Sequence, residues 1–359
     1  MAFADLPPLS SYDVYEKAPL LSFVSDKALA IMLPPISYAV FSILWEWIDR
    51  SELLTKYKLY PPEEMTKRNR ISKWECLRGV VAYHVMQIAV TVALTWNDDG
   101  KTYGGQEQFY ILRWASKLRI LQHMLPSLLA LFGVDSLAWS SKVQATSPTL
   151  SAVLSGGDYT GLKNNATATG SLLAQSVPLV QGFAPWEIVG GKALYYILVP
   201  AFQLWMCFFI ADTWFYFGHR MMHNYKWLYK NFHSMHHRLY ITYAFGAVYS
   251  HPVEGFLVDT IAFTLGVVLS NLSIRQGMVF NVLATWKALV DHCGYALPWD
   301  PFELVTAADS KFHDVHHQTW GLKSNFALFF TFWDQLLGTA KESRYGRETM
   351  IKADDKIEE

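Results

Sequence analysis

Three stretches of this chain are long and apolar enough to cross a bilayer, and they limit the possible folds more than any other feature. They run from about Ala28 to Trp47, Gly79 to Trp96 and Ala193 to Phe217. A hydrocarbon core of about 30 Å needs roughly 20 mostly apolar residues in a helix. Lipid offers no partner to a bare backbone, so the spans must be helical or belong to a closed barrel. A fourth stretch, Ile120–Trp139, carries His123, Pro126 and Asp135 and has a short apolar core, so it reads as an interfacial or partly embedded helix. A fifth, Gly255–Val290, is broken near Asn271–Gln276 and reads as a hairpin that returns both ends to one side of the membrane.

Composition fits this setting. Charged residues make up 17% of the chain and hydrophobic ones 52%, against roughly 25% charge in soluble domains. Aromatics reach 15%, including 14 Trp, as suits rings anchored at a bilayer interface. A net charge of -1 gives nucleic acid no electrostatic footing. Cys76, Cys207 and Cys293 are too few and scattered for a disulfide framework. The N-terminus lacks a basic start followed by an apolar core, so no cleavable signal peptide is expected.

Charge also sets orientation. The segment between the first two spans contains Arg50, Lys56, Lys58, Lys67, Arg68, Arg70, Lys73 and Arg78, which places it in the cytosol by the positive-inside rule. Residues 97–190 then fall on the lumenal side, where the sequon Asn165-Ala166-Thr167 is compatible with glycosylation. The Ala193–Phe217 span returns to the cytosol.

That span leads into the first of three histidine clusters. His219 and His223 bracket "HRMMH"; His233, His236 and His237 lie in "HSMHH"; His313, His316 and His317 lie in "HDVHH". Positions three and four apart share a helix face, so each cluster is expected to point its imidazoles one way. A lone histidine on an apolar helix is usually a hydrogen-bonded core residue. Eight of the 12 histidines inside three such motifs argue instead for metal. One zinc needs only about four ligands, so the number suggests two ions. Asp212, Glu254, Asp291, Asp309 and Asp314 are candidates to orient the rings, or else helix caps and solvated acids. His84 stands alone in a span, either a hydrogen bonder or a functional group.

The boxes and their membrane context resemble the fatty acid hydroxylase superfamily of membrane di-iron enzymes, over about Trp186 to Thr339. Within it, "ADTWFYFGHRMMH", "HSMHHRLYITYAFGAVYSHPVEGFLVDT", "DHCGYALPWDP", "KFHDVHHQTWGLKSNFALFFTFWDQLLGT" and the upstream "YPPEEMTKRNRISKWE" are similar to the sphingolipid (sphinganine) C4-hydroxylases. One departure is Ser250, where that group more often has Asn. The resemblance implies ten metal ligands: the eight box histidines, His292 in "DHCGY" and His251 in "SHPVEG". It implies an all-α, integral membrane helical bundle with a cytosolic histidine-rich di-metal cap. It also implies two irons per chain and O₂-dependent C4-hydroxylation of a sphingoid base or dihydroceramide.

The chemistry favours iron independently, because zinc has no redox chemistry, although zinc binds such ligands more tightly and can replace iron in purified protein. No Gly-rich dinucleotide motif with its acid is present, so a separate reductant is expected. By resemblance it is cytochrome b5 with NADH–cytochrome b5 reductase, at the endoplasmic reticulum membrane. The expected segments are 1–97, membrane helices with a basic loop; 98–192, lumenal or interfacial; 193–339, catalytic; and 340–359, a charged tail. A sterol C4-methyl oxidase or C5-desaturase would share the boxes. A histidine-rich metal transporter would instead place its ligands at the bilayer midplane.

Overall fold

The computed structural model describes residues 6–157, 182–301 and 308–342. The Asn165 sequon and the tail from residue 343 lie outside the described residues. The described residues are mostly helical, and a two-residue ladder pairs Tyr15–Glu16 with Tyr103–Gly104. It packs as two units, one drawn from Met1–Lys17 and Tyr103–Phe202, the other from Ala18–Thr102 and Gln203–Glu359. These are units of packing and cut differently from the functional segments expected above.

Among the described residues, four helices are long and apolar enough to cross a membrane: Asp26–Ser51, Lys73–Leu94, Pro185–Asn224 and Pro252–Leu269. The three spans expected from sequence fall on the first three. Ser25 caps the first by accepting from Ala28, and Ser72 with Glu75 forms a capping box on the second. Ile43, Val85, Ile197 and Phe202 all stand more than half exposed on these helices. Water would leave that apolar surface uncovered; lipid covers it.

The larger unit carries the site. Tyr38 and Trp45 on the first helix pack against the Ile274–Asp291 helix, where Trp286 stacks on Trp45 at 6.0 Å. Close helix approach depends on small residues: a Cβ on Gly266 would sit 2.8 Å from the Cys207 carbonyl, beside Ala211. The expected Gly255–Val290 break is a turn at 270–273. There Asn271 takes a left-handed φ of 53° and Ser273 with Gln276 caps the next helix.

In the smaller unit, Ile120–Trp139 is not one helix. A helix runs from Glu107 to Ala130, a turn through Gly133 (φ 74°) follows, and Asp135 caps a second helix over Ser136–Val143. Charge on this face has a structural use. Arg119 grips Glu187 with two hydrogen bonds, of 2.8 and 2.5 Å, and both side chains are fully or almost fully buried. Glu187 also accepts from the Ala184 amide at 2.7 Å, capping the helix that begins at Pro185.

Candidate metal centre

The helix ending at Asn224 carries His219 and His223 one turn apart on its buried side. His233, His236 and His237 lie on a short 3₁₀ turn, His233–Arg238, and His313, His316 and His317 on the helix Ser310–His317. His292 is the C-cap of Ile274–Asp291. Together they form two groups of buried nitrogens. His219, His223, His233, His237 and His316 make one; His236, His292, His313 and His317 make the other.

This partition corrects the expectation that each box points one way. The i,i+4 pairs His233/His237 and His313/His317 stay together, while His236 and His316 cross to the opposite group. The physical reason is that adjacent residues on a helical turn differ by about 100° in direction, so neighbours such as His236 and His237 cannot face the same ion.

Ring orientation is set by what Nδ1 contacts. His219 donates to the Phe326 carbonyl at 2.8 Å, His316 to Ser324 at 2.7 Å and His236 to Tyr249 at 3.0 Å. His292 donates to Ala288 at 2.9 Å and His317 to Leu239 at 2.7 Å. A carbonyl only accepts, so these rings carry their proton on Nδ1 and leave Nε2 bare. Of the five carboxylates expected to orient rings, only Glu254 does so, meeting His233 Nδ1 at 2.5 Å. Asp212 accepts from the amides of Leu328 and Phe329, and Asp291 is paired with Lys287. Asp314 accepts from Tyr60, and Asp309 caps its helix through Phe312. These four hold backbone or neighbouring side chains in place.

Nε2 atoms converge at separations of 2.7 to 3.1 Å in the five-nitrogen group. In the four-nitrogen group, His313 lies 3.0 Å from His292 and 3.1 Å from His317. Where both rings carry their proton on Nδ1, the facing lone pairs cannot hydrogen-bond, and a cation between them resolves the contact. Nitrogens about 2.1 Å from one ion and at right angles stand about 3.0 Å apart, so the donor set fits a metal. Burial keeps the rings neutral: His236 is pushed down to about 4 and His292 to about 3. His233, His237, His313, His316 and His317 lie well below their ordinary value, with desolvation the main cause and neighbouring histidines the next.

His251 stands in neither group. It caps the Pro252 helix by accepting from Val253, and its ring lies 5.0 Å from that of Phe232. His123 lies on the Glu107–Ala130 helix of the smaller unit. The basic segment ahead of the second span, read above only for its charge, also braces the boxes. Arg68 reaches Gln318 at 2.6 Å, Asn69 exchanges two hydrogen bonds with Ile241, and Arg70 donates its amide to the Arg238 carbonyl. No spacing rule marked these residues; their inclusion in the resembling word "YPPEEMTKRNRISKWE" was the one signal.

The fatty acid hydroxylase family model matches residues 204–339, which contain every member of both groups. Over 343 residues the chain is 32% identical to a sphingolipid C4-hydroxylase of Saccharomyces cerevisiae, covering 94% of this chain and 78% of that protein. It is 31% identical over 345 residues to a sphingolipid C4-hydroxylase of Schizosaccharomyces pombe, covering 94% and 98%. A sphinganine C4-monooxygenase of Arabidopsis thaliana is 42% identical over 185 residues, 50% of this chain and 71% of that one. No solved structure matches the chain. The chain belongs to the fatty acid hydroxylase family, in the branch of the sphingolipid C4-hydroxylases.

Proposed function

We propose that this protein hydroxylates C4 of a sphingoid long-chain base, free or N-acylated as a dihydroceramide, at a histidine-held pair of iron ions. The observation that carries the reading is one cavity in the larger unit, lined by His219 and His233 of one group and by His236, His292 and His313 of the other. A substrate carbon placed there meets both groups at once. Bound iron would supply the O₂-derived oxidant that an unactivated C–H bond requires. The chain's residues do the rest. The nine imidazoles hold the metals, carbonyls and Glu254 fix six of the rings, and the apolar walls, including Phe215, Phe263 and Leu328, limit water. Per turnover, the C–H bond and O₂, with two electrons and two protons, become C–OH and water.

Cytochrome b5 and its NADH-dependent reductase are the proposed electron source, the endoplasmic reticulum membrane the proposed location, and the cytosol the side of the histidine boxes. The basic segment between the first two spans supports that orientation. Membranes bearing the protein, given sphinganine, NADH and the b5 system under labelled O₂, should yield a product with one labelled oxygen at C4. A desaturated or demethylated sterol as the sole product would overturn the substrate assignment. Protection of the boxes from protease in sealed vesicles would reverse the orientation.

A further inference from the structure

Three buried polar atoms on the wall of the same cavity have no hydrogen-bond partner: His84 Nε2, Ser250 Oγ and Glu254 Oε2. Ser250 and Glu254 are 5% and 6% exposed. Such groups are costly to bury unmatched, by about 1–3 kcal/mol each, so they call for a ligand. Their chemistry is specific. His84 Nδ1 lies 3.2 Å from Gln87 Oε1, an oxygen that only accepts, which leaves Nε2 with a bare lone pair. Glu254 Oε1 is taken by His233, which leaves Oε2 free. The set therefore presents one acceptor nitrogen, one hydroxyl and one carboxyl oxygen, polar partners suited to a head that carries an amine and hydroxyls.

Size narrows it further. The cavity holds about 80 Å³. At roughly 10–15 Å³ per water-sized atom that is room for about five to eight non-hydrogen atoms, while C1 to C4 of a 2-amino-1,3-diol with its amine and two hydroxyls comes to about seven. With the metals in place, the cavity is of the size of a small polar head and cannot hold the alkyl chain, which must leave it. Because C4 adjoins the hydroxyl-bearing carbon, a C4 oxidation forces the polar head in beside the metals.

Resting on the function proposed above, we propose that His84, Ser250 and the free oxygen of Glu254 form the head-group subsite, hydrogen-bonding the amine and hydroxyls of the base and so setting C4 against the two metal groups.

The test uses the metal-loaded full chain in lipid nanodiscs, with sphinganine and its 1-deoxy and 3-deoxy analogues as probes, read as kcat/KM and as equilibrium binding without reductant. Wild type should prefer sphinganine to at least one deoxy analogue by about tenfold, the size of one lost buried hydrogen bond. His84→Leu should lower sphinganine binding and kcat/KM by about tenfold at unchanged metal content and close the gap to that analogue. His84→Gln, which restores an acceptor, should recover most of the loss. Ser250→Ala should narrow the preference to a smaller degree, and it decides the matter if His84→Leu fails to hold metal. Wild-type discrimination retained in His84→Leu and Ser250→Ala overturns the subsite while leaving C4-hydroxylation standing. A wild-type protein that leaves sphinganine untouched and oxidises another lipid overturns both.

Discussion

The two histidine groups lie in one unit yet are built differently. In the five-nitrogen group, three rings are fixed from outside the boxes: His219 and His316 by carbonyls of the 324–326 loop and His233 by the Glu254 carboxylate. That loop is itself clamped, with Asp334 accepting from the amides of Phe326 and Ala327 and Asp212 from those of Leu328 and Phe329. In the four-nitrogen group, the recorded ring partners are neutral carbonyls of Tyr249, Ala288 and Leu239. An ion held by five nitrogens has fewer positions left for an outside ligand than one held by four. The difference teaches that ligand number and ring support are not equally shared, and that the two groups should fail differently.

The sharpest way to break the comparison is to remove one imidazole from each group. His236→Ala leaves three nitrogens in the smaller group and should lose that ion, with turnover falling by more than about a hundredfold, since even outer-shell changes cost about 10–100-fold. His316→Ala still leaves four nitrogens in its group and should retain more metal, although it too should lose most turnover. Elemental analysis beside the activity assay checks this; equal metal content in the two variants would erase the distinction.

Next in size is Glu254→Gln, which among the metal-holding rings contacts only His233 of the five-nitrogen group but also alters the proposed head-group subsite, so metal content is the readout that bears on the comparison. Losing the carboxylate behind His233 should weaken metal retention or turnover by about 10–100-fold, measured by competition with a chelator. A change confined to the four-nitrogen group would contradict the assignment.

Acid provides a third test. His236 and His292 sit at about 4 and about 3 in the folded chain against 6.5 when unfolded. Between those values the unfolded state binds more protons than the folded one, so stability is full above about pH 6.5 and falls as the pH drops towards 4. Metal-free protein in detergent should melt at steadily lower temperature across that window. Loaded protein should resist until protons displace the metal. A melting temperature flat from pH 7 to 4.5 in the metal-free form would rule this out. The smallest expected effect is Tyr60→Phe, which removes the 2.7 Å hydrogen bond to Asp314; about 1 kcal/mol of stability should go, read from thermal melts, with turnover altered only a few-fold.

Spans and boxes were legible in the sequence because each is a local pattern: a run of apolar residues, or histidines at helical spacing. His292, outside the boxes, was marked by its place at the end of the Gly255–Val290 hairpin and by resemblance. The partition between groups was hidden, since it depends on how the His233–Arg238 turn and the Ser310–His317 helix are set against each other. The ring supports were hidden for a different reason. Every residue owns a carbonyl, so nothing in the letters singles out Phe326, Ser324 or Leu239, whereas acids stand out, and of the five candidate acids Glu254 alone touches a ring. The Arg119–Glu187 pair spans 68 positions and leaves no periodic trace. The Ile120–Trp139 reading missed a break at Gly133, where the turn, not hydropathy, decides.

The bracing of the boxes by the segment ahead of the second span has a consequence for portability. Residues 204–339 carry all nine converging imidazoles, yet the frame that holds them starts far upstream. Tyr38 hydrogen-bonds the Phe245 carbonyl, Tyr60 meets Asp314, Asn69 clasps Ile241, and the Tyr83 ring lies where a side chain on Gly255 would go. The ligand-bearing segment is therefore not a cassette. Transplanted alone into another membrane protein, it would carry the metal-binding residues without the scaffold that aims them; the smallest transferable piece begins at the first helix, Asp26–Ser51.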